Sequence, residues 1–247
     1  VFSHGFCGIR SSNTSTFREL ASHGYVVCSV DHPYQSLVTT DDKGKRTFID
    51  RGYLAEYASL GDDLSENLKT FQNWMGIRVA DMSFVIDTVL AGKGGVYDLV
   101  DPQRIGAFGH SLGGAAAAGL PRIREDIGAV VNLDGPLMCE LTGMDGGRFT
   151  VNPQPYPAPI LQLYSEFLYV NGIEAGDPEY VENRQAAATA PAYSCPSAPI
   201  FQISILKAID TPREQNIRVM ETTRVASILY KEPKEPLNIS VYILRAL

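Results

Sequence analysis

Apolar runs and stretches of helical period alternate along this chain from its first residues. Val1–Ser3 reads as a strand, and His4-Gly5-Phe6-Cys7-Gly8 as the turn-rich loop after it. Thr14 or Ser15 stands where a helix N-cap belongs, and a short helix is expected through Leu20 and Ala21, closed by Gly24. Tyr25–Val30 is an unbroken, mostly apolar run and predicts a buried strand ending at Asp31-His32-Pro33. The segment 36–51 is polar and predicts a loop. From Asp62 a helical pattern develops that places Val79, Met82, Ile86, Val89 and Leu90 on one face. Ala91-Gly92-Lys93-Gly94-Gly95 ends that helix, and Asp101-Pro102 opens a turn into a strand over Arg104–Phe108. A helix of small residues follows, then strands at Ile127–Leu133 and Pro159–Tyr164. Strands that alternate with helices in this way argue for βαβ units and a parallel sheet.

The last fifty residues break the pattern. Pro191, Pro196 and Pro199 interrupt the chain, and Pro199–Leu206 predicts one more strand. The remainder mixes charge with Pro233 and Pro236 and shows no clear amphipathic helix. The expected organisation is a partial core over 1–206 followed by a divergent or aberrant segment over 207–247. The chain begins at what reads as the end of a strand, so the first strands of the sheet are expected to be missing. Whether C-terminal closing elements are present is left open.

A chain of 247 residues can bury a full core as one domain. A net charge of −7 leaves no basic stripe with which to neutralise a phosphate backbone, so nucleic acid is set aside as a partner. Cys7, Cys28, Cys139 and Cys195 are widely spaced and form no CxxC pair, which argues against a zinc site. Cys28, inside the apolar run, reads as a buried thiol. Asn13-Thr14-Ser15 and Asn238-Ile239-Ser240 match the glycosylation sequon, a pattern short enough to arise by chance. No apolar run is long enough to span a bilayer as a helix.

Chemistry concentrates at Gly109-His110-Ser111-Leu112-Gly113. This is G-x-S-x-G with a strand before it and a small-residue helix after it, the setting of a nucleophile elbow. Ser111 is the candidate nucleophile, and glycines at 109, 113 and 114 would let strand, turn and helix pack closely. A serine hydroxyl is a weak nucleophile and needs a base and a site for the oxyanion. The N–H of Leu112, following the nucleophile, is one expected oxyanion donor; Phe6, in the loop after the earlier strand, is the other.

Asp134, in Asn132-Leu133-Asp134-Gly135-Pro136, stands at the C-terminal end of an expected strand, the edge where open α/β sheets gather their active groups. An acid there can hold a histidine tautomer; an aspartate before Gly-Pro is equally a turn residue. Glu166, beyond the next strand, is the competing acid. The histidines are His4, His23, His32 and His110. His23 reads as a helix cap, and His4 and His110 as braces of their turns. His32 follows a strand at the active edge and is the one candidate base. No histidine follows His110, although in this kind of site the order along the chain is serine, acid, histidine.

With these residues in view, the chain resembles the platelet-activating-factor acetylhydrolase family of α/β-hydrolases. The likeness runs from Val1 to about Pro191. It rests on Val1-Phe2-Ser3-His4-Gly5, on Leu20-Ala21-Ser22-His23-Gly24-Tyr25-Val26-Val27 followed by Val30-Asp31-His32, and on Gly109-His110-Ser111-Leu112-Gly113-Gly114. Asn132-Leu133-Asp134-Gly135, Gln162-Leu163-Tyr164-Ser165-Glu166 and the spacing between Ser111 and Asp134 fit as well. The resemblance implies an α/β-hydrolase fold, a mostly parallel sheet flanked by helices. It implies Ser111 as nucleophile, Asp134 rather than Glu166 as acid, and Phe6 and Leu112 as backbone donors. It also implies hydrolysis of short acyl esters of phospholipid-like substrates, with no cofactor or metal. The family's histidine follows the last core strand in a Gly-His context, where this chain has Lys207-Ala208-Ile209-Asp210.

Two alternatives stand beside that reading. One is a general esterase or polyester hydrolase of the same fold. The other is a non-catalytic protein of that fold that binds an ester or lipid. A small-molecule or lipid ester is the expected partner in each, and membrane-surface contact is left open.

Overall fold

The computed structural model describes residues 1–165, 200–205 and 242–243. Among them, seven strands form one sheet in which each pairing is parallel: β1 (Phe2–Ser3), β2 (Cys28–Val30), β5 (Ile105–His110), β6 (Ile127–Leu133), β9 (Ile160–Ser165), β10 (Ile200–Ile205) and β11 (Tyr242–Ile243). Their order across the sheet is β10-β9-β6-β5-β1-β2-β11. Helices α1 (Thr14–Ser22), α2 (Arg51–Ala58), α3 (Leu64–Ala91) and α4 (Leu112–Gly119) lie in the connections. A mostly parallel sheet with helices in its connections is the α/β-hydrolase arrangement expected from the sequence.

The order has a functional consequence. From β1 the chain moves one way to β2, then returns past β1 to β5 and continues the other way through β6, β9 and β10. The direction of winding therefore reverses between β1 and β5. Open α/β sheets form their ligand crevice at the carboxyl ends of strands where the winding reverses. His4-Gly5-Phe6 leaves β1 at that edge, and Ser111 leaves β5 beside it.

Helix α3 explains much of the packing. Asp63 starts it by accepting from the Ser65 and Glu66 amides at 3.0 and 3.2 Å, relieving two of the donors a helix start leaves unpaired. Its buried face carries Leu68, Phe71, Trp74, Met75, Val79, Met82, Val85 and Ile86. Each such side chain contributes roughly 1.5–3 kcal/mol when fully buried. Val89 is only partly buried, and Leu90 is 36% exposed, so the expected face ends one turn early. Helix α4 is buried along its whole length. Only glycine and alanine follow Leu112 in it, which lets its backbone approach both α3 and the sheet.

Several elements differ from the sequence reading. Asn13, not Thr14 or Ser15, is the N-cap of α1. Strand β2 is confined to the last three residues of the apolar run. The expected loop over 36–51 contains a hairpin, β3 (Val38–Thr40) with β4 (Arg46–Phe48), closed by an Asp41 carboxylate that accepts from the Lys43 and Lys45 amides. A second hairpin pairs β7 (Leu141–Asp145) with β8 (Arg148–Val151). Helix α2 also went unanticipated; Asp50 caps it through the Gly52 and Tyr53 amides. The strand expected at Pro199–Leu206 is present as β10. Glu166, Cys195, the second sequon and all of 207–247 apart from β11 lie outside the described residues. Cys7 and Cys139 are free thiols, and Cys28 is buried, as expected from the apolar run.

Candidate active site

Ser111 sits at φ 53° and ψ −124° between β5 and α4, a conformation non-glycine residues rarely adopt. The surrounding structure holds it there. Its amide donates to the Leu133 carbonyl at 2.8 Å, and its carbonyl accepts from Ala115 at 3.0 Å. A Cβ on Gly109 would run into the Gly113 carbonyl, and one on Gly113 into the Ser3 carbonyl. These two glycines let elbow, helix and β1 touch through their backbones. Leu112 is the first residue of α4, where a backbone N–H has no partner within the helix.

The loop after β1 rests on this elbow. A Cβ added to Gly5 would lie 3.0 Å from His110 Nδ1 and 3.2 Å from Ser111 Cβ. Phe6 is anchored beyond it by stacking on Tyr57 of α2, with ring centroids 3.9 Å apart and planes 19° apart. The structure thus brings together Ser111, Leu112 and the Gly5-Phe6 segment.

Asp134 directly follows β6, next to β5, with its own positive φ of 61°. His110 and Leu133 are register partners, so Ser111 and Asp134 follow paired positions on neighbouring strands. The Asp134 amide donates to the Leu163 carbonyl at 2.7 Å, and its Oδ1 accepts from the Ser165 amide at 2.6 Å. This links the acid to β9 as well. Beneath the turn lies a network that the sequence reading missed. Buried Asn132 accepts from the Gly135 amide at 3.0 Å and donates to the Gly135 carbonyl at 2.7 Å. It also reaches Gln162 Oε1, which accepts from the Tyr164 hydroxyl at 2.7 Å. Polar Asn132 and Gln162 within two otherwise apolar strands were the signal available.

The histidines divide by environment. His23 caps α1 and pairs with Glu19 at the surface. His4 is fully buried, with Nδ1 on the Gly5 carbonyl and Nε2 on Ser36 Oγ, both at 2.7 Å. Burial, with neighbouring Arg78 and then His32 adding to it, pushes His4 down to about 2. His32, the candidate base, has both ring nitrogens engaged with Ser3 and Asp81. It is fully buried, Nε2 bonds Ser3 Oγ and Nδ1 bonds Asp81 Oδ2, each at 2.8 Å, and burial first and Arg78 second hold it well below the usual range. The reason is topological: the chain turns back after β2, which directs this ring under β1 toward α3. His110 is exposed beside the nucleophile.

Arg78 of α3 completes this buried layer. It donates to Gln35 Oε1 at 2.7 Å, to the His4 carbonyl at 2.5 Å and to Ser3 Oγ at 3.5 Å. Asp81, one turn further on, is pushed up to about 6 by burial, with Arg78 opposing. Among the described residues no group of three or more His, Cys, Asp or Glu side chains is arranged to hold a metal ion, and no helix is long and apolar enough to cross a membrane.

Strand order and the serine at a strained strand-to-helix turn, with the loop after β1 lying against it, define the fold class. The protein has the α/β-hydrolase fold. Over part of its length it is similar to platelet-activating factor acetylhydrolases and to esterases. The family model for platelet-activating factor acetylhydrolase, isoform II, matches residues 1–52. A probable 1-alkyl-2-acetylglycerophosphocholine esterase of Arthroderma benhamiae is 30% identical over 164 residues, 63% of this chain and 35% of that protein. Among solved structures, a ferulic acid esterase from Streptomyces cinnamoneus superposes with a TM-score of 0.52 at 26% identity, over 82% of this chain and 48% of that one. The chain thus spans about a third of the curated relative and about half of the solved one.

Proposed function

We propose that this chain carries the nucleophile and oxyanion site of a serine carboxylic-ester hydrolase. The observation that carries the proposal is Ser111 at φ 53° with the Gly5-Phe6 segment lying against its Cβ. Strain of this kind persists only where surrounding contacts over-determine it. In the reaction, Ser111 Oγ bonds to the ester carbonyl carbon while its proton passes to a base. The carbonyl oxygen becomes an oxyanion held by the N–H groups of Phe6 and Leu112. Preorganised donors of this type contribute about 2.7–4 kcal/mol each to the transition state. The tetrahedral adduct collapses, the alcohol leaves with the proton, and water releases the acid from the acyl-enzyme. Asp134 orients the protonated base. That base is not His4 or His32, whose ring nitrogens are all engaged.

The substrate class we favour is a phospholipid-like ester with a short acyl chain, supported by the family match over residues 1–52 and by the fungal relative. The likeness to the ferulic acid esterase supports a second reading, a broader esterase of the same fold. A catalytically silent binding protein is the third, motivated by the engaged histidines.

The test is hydrolysis of p-nitrophenyl acetate by the folded chain beside Ser111→Ala. Turnover that disappears in the variant supports the esterase. Folded protein without Ser111-dependent turnover, yet with saturable binding of an ester, favours the binding protein. A 2-acetyl phosphocholine lipid compared with methyl ferulate separates the first two readings.

A further inference from the structure

The peptide joining Gly5 to Phe6 carries the oxyanion donor, and its orientation is set from the opposite side. In a trans peptide the N–H and the C=O point in opposite directions. The Gly5 carbonyl accepts from His4 Nδ1 at 2.7 Å and from the Gly8 amide at 3.1 Å. Holding that oxygen under the loop turns the Phe6 N–H outward. One residue earlier, the His4 carbonyl accepts from Arg78 Nη1 at 2.5 Å. Two consecutive carbonyls are therefore gripped by two buried side chains.

We propose that Arg78 and His4 are positioning residues of the oxyanion hole, a clamp from α3 that aims the Phe6 N–H at the oxygen on Ser111. The proposal rests on Ser111 being the nucleophile. The hydrogen bonds dictate one self-consistent set of protons. With Nδ1–H donating to Gly5, His4 Nε2 must accept, and it takes the Ser36 hydroxyl proton. Ser36 Oγ in turn accepts from the His32 amide at 2.9 Å. His32 Nδ1–H donates to Asp81, its Nε2 takes the Ser3 hydroxyl proton, and Ser3 Oγ faces Arg78. Each member has a single workable orientation, so the loop cannot rotate without breaking several bonds at once. The guanidinium suits this role because its donors form a rigid fork. Its Nη1 grips the His4 carbonyl and the Ser3 hydroxyl oxygen, and its Nε donates to Gln35 Oε1 at 2.7 Å.

Amide side chains can separate the two nitrogens of His4. An asparagine nitrogen reaches the place of Nδ1, whereas glutamine reaches that of Nε2. Phenylboronic acid, which becomes tetrahedral on a serine and presents an anionic oxygen, reads the donors without turnover. Its binding is measured on the wild-type chain, His4→Asn, His4→Gln, Arg78→Lys and Ser111→Ala, with the Phe6 and Leu112 amide resonances followed in 15N spectra. Thermal unfolding confirms that each variant is folded.

The wild-type chain is expected to show Ser111-dependent binding that moves both amides. His4→Asn is expected to stay within about threefold, and His4→Gln to weaken by roughly tenfold to a hundredfold, with the Phe6 response lost and that of Leu112 kept. Arg78→Lys, which retains charge and one donor, should fall between them. Equal losses in both His4 variants, or wild-type binding in all three, overturn the clamp while leaving the nucleophile intact. Binding that survives Ser111→Ala, or no binding by the folded wild-type chain, overturns the nucleophile assignment and the clamp with it.

Discussion

The Ser111 amide donates to the Leu133 carbonyl at 2.8 Å, one residue before Asp134. The turn that presents the candidate nucleophile is thereby tied to the turn that presents the candidate acid. Asp134 is itself bonded to β9 through Leu163 and Ser165. Three adjacent strand ends are laced together, and their relative positions do not depend on any exposed loop.

This lacing separates the chemical role of Asp134 from its structural one. Asparagine can still accept the Ser165 amide proton through its carbonyl oxygen, so Asp134→Asn should fold and melt within a few degrees of the wild type. It cannot stabilise an imidazolium, and Ser111-dependent ester hydrolysis should fall by about 10⁴-fold. Normal turnover in a folded Asp134→Asn chain would remove Asp134 from the site.

Gly113→Ala tests the close approach of elbow and sheet. The added methyl group meets the Ser3 and His4 carbonyls, and backbone cannot yield as a flexible side chain can. We expect a loss of at least about 1–3 kcal/mol, typical of overpacking, seen as a lower urea midpoint. Gly128→Ala in β6 is the control, since its nearest neighbour would be 3.6 Å away, an ordinary contact.

Asn132→Leu fills the same space but leaves the Gly135 N–H and C=O buried without their partners. Each unsatisfied group costs about 1–3 kcal/mol. Asn132→Ala should be similarly damaging, and both should lower stability more than Gln162→Ala, which sits one bond further from the turn. Chemical denaturation of the three variants checks the order.

Acid stability follows from the buried layer. His4 and His32 have folded pKa values below the unfolded 6.5, so below about pH 6.5 the unfolded state binds more protons and stability falls as pH drops. Asp81 acts in the opposite sense. Its folded value is raised from 3.8 to about 6, so the folded state binds the extra proton and regains stability as pH falls from 6 toward 4. The fall in stability below pH 6.5 is therefore partly offset by Asp81 below about pH 6. Urea midpoints across pH 4–7 measure it, and His32→Asn should flatten the curve. A wild-type midpoint that is constant over this range would mean that the two rings are not buried neutral.

The sequence located the elements whose cause is local. Gly109-x-Ser111-x-Gly113 between an apolar run and a small-residue helix is a steric signature, and β5, the elbow and α4 lie where it puts them. The long helical period gave α3, and the apolar runs gave β6 and β9. Hairpin β3–β4 was not legible, because its strands are three residues long and only Thr39 is fully buried, the rest being half-buried or exposed; no run long enough to show alternation announces it.

By itself, then, the sequence determined the strands and helices of an α/β sheet with a serine at a tight strand-to-helix turn, a turn-rich loop after β1 and an aspartate at a neighbouring strand end, since each depends on residues close to one another along the chain. What became of His4, His32, Arg78 and Asn132 was decided only by tertiary structure. The bond from Arg78 to the His4 carbonyl joins residues 74 apart, and that from His32 to Asp81 joins residues 49 apart. Whether a histidine is a free base or a neutral, doubly bonded brace depends on burial and on the partners that distant segments bring to it. Those follow from the reversal of winding at β1, which no local pattern encodes.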